Sequence, residues 1–185
     1  TVDDSVAGTM MERLLNLAYE RHPYRWPTIG SMADLESATI DDLVFFYRSF
    51  YSPSNATVVL VGDVDAGDTL ATLARNYAPI PAHPVERKTL PEEPRQQAAR
   101  AATLKRSVVT PQIAIGFHAP QESAPEFAVC EMLSDVLIGG DSSRLHQRLV
   151  CDEQIATGVE GFLPPVANPG LFQIHVLACP EVSCD

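Results

Sequence analysis

Five histidines and four cysteines carry the softest chemistry of this chain, and their spacing decides what they can do together. A helical zinc site sets two His one turn apart, at i and i+4, with a third donor close by. His22, His83, His118, His146 and His175 come no closer in sequence than the 28 positions between 118 and 146, so neither HExxH nor its inverse HxxEH occurs. Cys130, Cys151, Cys179 and Cys184 form no CxxC pair and are too few for a disulfide framework, which leaves the redox compartment open. GxSxG, GxxxxGK[ST] and GxGxxG are missing as well. The acidic neighbours Asp3 with Asp4, and Glu92 with Glu93, have no flanking His and no apolar setting, so they read as solvated surface pairs.

Two places allow a chemical reading beside a structural one. His22, followed by Pro23 and Tyr24, either lies at the edge of a cleft or fixes the exit of a helix just ahead of the proline. Gly139-Gly140-Asp141-Ser142-Ser143-Arg144 either makes an anion-binding turn at a helix N-terminus, or Ser142 or Ser143 caps the helix that carries Leu145. The structural reading is the simpler one in both places. His22, Tyr24, Ser143 and Arg144 are the candidate cleft-lining residues, and no residue of this chain takes a catalytic or metal-ligating role.

The elements that would position them are legible as periodicities. From about Ser5 to Arg21, Met10, Met11, Leu14, Leu15, Leu17 and Ala18 form a stripe of helical period that ends near Pro23. Thr39 suits an N-cap, with Asp41 and Asp42 in the first turn and Ile40, Leu43, Val44, Tyr47 and Phe50 recurring behind it. Ala56 to Val61 is a β-branched run closed by Gly62-Asp63 and reads as a buried strand; Leu70, Leu73, Ala74 and Tyr77 mark another helix. Five prolines (79, 81, 84, 91 and 94) between Ala78 and Gln97 forbid a helix and predict an extended, solvated crossing between units. Beyond it come strands at Ala101–Val109 and Gln112–His118, then a helix at Pro125–Ile138 ended by Gly139-Gly140. A helical Arg144–Val150 follows, and two strands, Ala156–Leu163 and Leu171–Ala178, are joined by a turn holding Asn168-Pro169-Gly170. The pattern predicts an α+β fold with mixed, largely antiparallel sheets, helices packed on one face, and two units joined by a proline-rich linker. The boundaries fall at 1–78, 79–100 and 101–185.

Composition supports a packed globular protein: 185 residues, 45% hydrophobic and 20% charged. The 24 Asp and Glu against 13 Lys and Arg leave a net charge of −11, which repels phosphate backbones and anionic membranes and excludes nucleic acid as a natural partner. No apolar run of about 18 residues exists to span a bilayer. The chain starts at Thr1 rather than Met, which suggests a piece of a longer polypeptide with any targeting signal upstream.

The order of short motifs carries a resemblance. Asp3-Asp4, His22-Pro23-Tyr24, Pro27, Gly30, Phe46-Tyr47, Phe50-Tyr51, Pro53, Asn55-Ala56 and Val59-x-Val61-Gly62-Asp63-Val64 resemble the insulinase/pitrilysin-type zinc metallopeptidases. Leu137, Gly139-Gly140, Ser142-Ser143-Arg144-Leu145, Leu149-Val150 and Asn168-Pro169-Gly170-Leu171-Phe172 are similar to the same family's next domain, in the right order. The resemblance implies a zinc endopeptidase in which an upstream HxxEH and a later Glu hold the metal, so that zinc belongs to the full-length protein and not to this piece. It also implies residues 1–78 as the end of the metal-bearing domain and 101–185 as most of a following non-catalytic one. The implied partners are a peptide or unfolded polypeptide substrate, and the remaining domains or a homologous partner subunit. A non-catalytic subunit of the same fold, of the processing-peptidase or respiratory-complex core type, is the alternative; an unrelated peptide-binding module is a more distant one. If the acidic charge faces the chamber, basic or extended peptides are favoured.

Overall fold

Ser5 opens the first helix of the computed structural model, accepting the Gly8 N–H on its Oγ at 3.2 Å. The structure describes residues 5–86 and 88–182; Asp3, Asp4 and Cys184 lie outside them. By internal contacts the chain forms two units, Thr1–Thr28 with Pro91–Asp185, and Ile29–Leu90.

In the first unit α1 runs over Val6–Ala18, shorter than the periodicity predicts. Tyr19 turns to extended backbone (φ −111, ψ 134), and the next N–H groups go to the Glu93 carboxylate instead of helix carbonyls. Three strands follow, β1 (Gln112–Ala119), β2 (Ala156–Phe162) and β3 (Gly170–Ala178), in the order β1-β3-β2 and antiparallel throughout. Between β1 and β2 lie α5 (Pro125–Ile138) and α6 (Arg144–His146), the latter continuing as a π-helical turn over Gln147–Asp152. In the second unit α2 covers Met32–Ser37, α3 Ile40–Phe50 and α4 Ala66–Tyr77.

The architecture is α+β with an antiparallel sheet, and β3 is its centre. Side chains alternate across a strand, so Leu171 and Phe172 point to opposite faces. Leu171 is buried with Ala18 and Tyr19 of the α1 end, and Leu14, Leu15 and Tyr24 pack around them. Phe172 and Ile174 are buried with Ala119 against Leu137 and Ile138 of α5 and Leu145 of α6. The apolar face of β3 lies under α5 and α6, and on the other face, which also carries Gln173 and His175, the end of α1 covers Leu171. Register sets these layers: Phe117 lies opposite Phe172, Ile115 opposite Ile174, and Gly161 of β2 opposite Ile174. At Gly161 a Cβ would stand 1.5 Å from the Ile138 Cδ1 and 3.0 Å from the Gln173 carbonyl oxygen, so only glycine lets α5 press on β2 there. Gly140, at φ +81, reverses the chain after α5 in a conformation costly for any other residue.

The helical caps of the second unit follow the sequence. Thr39 and Asp42 form a capping box, the Asp42 N–H donating to Thr39 Oγ1 at 3.2 Å and the Thr39 N–H to the Asp42 carboxylate at 2.9 Å; Ser31 and Asp34 repeat it on α2. The strand predicted at Ala56–Val61 does not form, and among the described residues of this unit there is no strand at all. Val59 and Val61 are 78% and 94% exposed, and Leu43, Phe46 and Tyr47 of α3 are exposed beside rings that stack only on one another. A strand exists only when a second strand takes its N–H and C=O groups, and these residues have no such neighbour.

Other expectations change for similar reasons. Ala101–Val109 is not a strand, although β1 directly after it has a free edge. Arg144–Val150 is helical as expected, but α-helical only over Arg144–His146 before the backbone widens to a π-helix through Asp152. The proline-rich crossing carries neither helix nor strand among its described residues, as its composition demands, yet it is not simply solvated: Ser54 Oγ donates to the His83 carbonyl at 2.5 Å, and the His83 N–H donates to the buried Ser52 Oγ at 3.2 Å.

Gly161→Ala should cost about 2 kcal/mol through overpacking against Ile138, read as a lower urea midpoint with unchanged slope. Adding Ile138→Val should recover part of the loss. An unshifted midpoint for Gly161→Ala would mean that α5 does not press on β2.

Candidate functional site

Tyr19, one residue past α1, gathers the polar groups of the first unit. It is 2% exposed and seated on Leu171, and its hydroxyl donates to the Pro169 carbonyl at 3.3 Å, tying the helix end to the β2–β3 turn. Three rings surround it edge-on or tilted: His118 at 5.3 Å between centroids, and Tyr24 and His22 at 5.9 Å each. His22 and Tyr24 are themselves edge to face at 4.3 Å.

His22 is 5% exposed and starts a 3₁₀ turn over Pro23–Arg25, its Nδ1 accepting the Tyr24 N–H at 3.2 Å. That places the neutral ring's proton on Nε2, a buried atom with no partner among the described residues. That bond suits the chain-exit reading of His22, although the helix it was expected to end stops earlier, at Ala18. Arg25 supports the same corner, its Nε donating to Asn16 Oδ1 at 2.9 Å.

Glu93 was read from sequence as half of a solvated pair, and it is not. The side chain is half-buried, with Oε1 accepting the Glu20 N–H at 2.7 Å and Oε2 accepting those of Arg21 and His22 at 2.9 and 2.8 Å. Burial opposes its charge, but the hydrogen bonds from Glu20, His22 and Arg21, with a smaller contribution from His118, hold the carboxyl below the usual glutamate range. Glu92 remains exposed. Their side-chain chemistry does not distinguish the two; the fold brings three backbone donors to one of them.

Ser143 and Arg144 lie elsewhere. Ser143 is 4% exposed at the N-cap position of α6, yet its Oγ makes no capping bond and has no partner among the described residues. Backbone bonds hold the turn instead, the Ser143 N–H donating to the Gly140 carbonyl at 3.0 Å and the Ser143 carbonyl accepting the Gln147 N–H at 2.9 Å. Arg144 is exposed. Tyr24 packs on the Leu171 side of β3 and Leu145 on the Phe172 side, so the central strand separates the two pairs of candidate residues. The structure joins His22 with Tyr24 and adds Tyr19, His118 and Glu93, which the sequence did not single out.

A shallow depression of about 290 Å³ lies beside this cluster, between Gln96–Ala99 and Gly116–His118. Among the described residues no three of His, Cys, Asp and Glu converge on a point where a metal could sit. Zinc has no seat in this donor set: His22 Nδ1 is taken by the Tyr24 N–H, and both Glu93 oxygens by backbone. The thiols of Cys130, Cys151 and Cys179 are free. No helix is long and apolar enough to cross a membrane among the described residues.

Comparison with known proteins places this arrangement. Residues 37–185 match the family described as the peptidase M16 inactive domain. A zinc protease PqqE of Helicobacter pylori is 31% identical over 160 residues, covering 84% of this chain and 36% of that protein. The crystal structure of a protease from Helicobacter pylori superposes with a TM-score of 0.83 at 28% identity, over 97% of this chain and 44% of that one. A peptidase M16 inactive domain from Pseudomonas fluorescens has the same fold, with a TM-score of 0.80 at 21% identity over 93% of this chain and 42% of that one. The chain thus spans well under half the length of each.

Burial, then the charges of Tyr24 and Glu93, push the Tyr19 hydroxyl up to about 12 from 10.0. A pKa raised by folding lends stability below the unfolded value and loses it as pH climbs through the folded one, so the window is pH 10.0 to about 12. In an absorbance titration of tyrosinate, one tyrosine should ionise only near the top of that window, and Tyr19→Phe should delete that step. A Tyr19→Phe curve identical to the parent's would contradict the burial described.

Proposed function

The chain belongs to the peptidase M16 family, through that family's inactive domain, and on this premise we propose that it is the scaffold portion of a zinc metalloendopeptidase acting on peptides or unfolded polypeptides. The match over residues 37–185 to a domain described as inactive carries the reading. Relatives named zinc proteases, of which this chain covers little more than a third, support the assignment of chemistry to the rest of the polypeptide. Zinc, held outside this chain, supplies a polarised water for amide hydrolysis. This chain's own residues brace: α1 is locked on the sheet by Tyr19, and the crossing is locked on α1 by Glu93.

Residues 1–78 then form the end of the metal-bearing domain, 79–100 the crossing, and 101–185 most of the following domain. The exposed apolar residues of α3 and of Val58–Val61 fit this division, since clustered exposed apolar side chains are normally covered. The strand that Ala56–Val61 predicts would form against strands of the preceding polypeptide. His22 and Tyr24 are proposed as chamber-side supports, and Ser143 with Arg144 as a second wall position.

The test uses the full polypeptide that contains this chain. Cleavage of a flexible peptide that is lost on chelation and restored by zinc is expected, while the 185-residue chain given zinc and the same peptide cleaves nothing. Zinc-dependent cleavage by the 185-residue chain itself would overturn the reading. A full polypeptide that lacks HxxEH and is inert until joined by an active relative would make this a partner subunit. With a net charge of −11, KM for a basic peptide should rise with ionic strength and that for a neutral peptide of equal length should not; equal responses would remove the steering role.

A further inference from the structure

The chain leaves its first unit after Thr28 and returns to it at Pro91, and the two crossings are tied together inside that unit. On the outgoing side stand the successive N–H groups of Glu20, Arg21 and His22; on the returning side, just past Pro91, stands the Glu93 carboxylate that receives all three at 2.7–2.9 Å. A second tie flanks the first: Arg100 Nη1 donates to the Leu17 carbonyl at 2.8 Å, and its Nη2 pairs with the Glu20 carboxylate. We propose that Glu93 is a clasp closing the base of the excursion between residues 22 and 93, and that through this closure it is a positioning residue for the peptidase.

The chemistry selects a glutamate. Three donors on two oxygens need an acceptor-only group, and the negative charge strengthens each bond. A glutamine offers one acceptor oxygen and turns an NH₂ toward N–H groups that cannot receive it. An aspartate keeps both oxygens on a shorter arm. Pro94, next to Glu93, fixes φ and favours extended backbone at Glu93, so the carboxylate is presented with little backbone freedom to lose. The ends of a long excursion left untied would sample many separations, and the clasp removes that freedom at a single point. The positioning role rests on the reading under Proposed function, because only there does the excursion belong to the metal-bearing domain; the closure itself does not.

The experiment compares Glu93→Ala, Glu93→Gln and Glu93→Asp with the parent in the full polypeptide, by hydrogen exchange and by steady-state cleavage of a flexible peptide. Exchange in the peptides covering residues 19–31 and 88–94 should accelerate about tenfold or more in the Ala and Gln variants and less in Asp, with β3 protection unchanged. The kcat should fall in the same order while KM and bound zinc stay constant. Unchanged exchange at both crossings in Glu93→Ala would overturn the clasp. Should that variant lose β3 protection as well, Glu93→Asp decides: parental exchange and parental kcat there would overturn the proposal. Faster exchange with full kcat in every variant would overturn the positioning role. A parent inert toward peptides would instead sink the peptidase reading, with the exchange result still deciding the clasp.

Discussion

Where α1 stops, three backbone N–H groups follow one another with no helix carbonyl to receive them, and one carboxylate takes all three. Backbone N–H groups beyond a helix need a side chain, water or neighbouring backbone as acceptor. Here the Glu93 side chain arrives from a segment more than seventy positions away, so what would ordinarily be a local cap becomes a tertiary connection. Next to it Tyr19, itself in extended conformation, is buried on Leu171. From Tyr19 the constraint passes by the hydroxyl bond at Pro169 to the β2–β3 turn.

The same logic governs the sheet. β3 is central and has helices on both sides: the α1 end covers Leu171, on the face that also carries Gln173 and His175, and α5 with α6 covers the apolar face of Phe172 and Ile174. Gly161 sits where that packing is tightest, and its missing side chain is what lets Ile138 approach. The second unit shows the opposite condition. Its helices are capped and regular, yet their apolar faces and the run Val58–Val61 meet no second layer among the described residues of that unit. Local rules make helices; burial of their faces takes a partner element.

These two conditions give a physical meaning to membership of an inactive domain family. The first unit owns a sheet, two hydrophobic clusters and a corner of interlocked rings, all directed at holding shape. Imidazole and carboxylate are both present at that corner, but the His22 Nδ1 and both Glu93 oxygens already accept backbone N–H groups. Groups so engaged can orient chain segments and limit their motion.

Helices α1, α3, α4 and α5, the β2–β3 hairpin with its Asn-Pro-Gly turn and the lack of regular structure in the crossing were all legible in the sequence, because each depends on neighbours within a few positions: a period, a cap, a proline. The fate of Ala56–Val61 and Ala101–Val109 was not legible, since β-branched residues state only a preference and a strand is completed by another strand. The separation of His22 and Tyr24 from Ser143 and Arg144 was decided by which face of β3 each pair's neighbours cover. Glu92 and Glu93 are chemically identical neighbours in the sequence, one exposed and one clasped. Sequence by itself determined which segments could be regular; the tertiary structure decided which carboxylate met the backbone donors beyond α1, because that meeting depends on where distant parts of the chain are brought together.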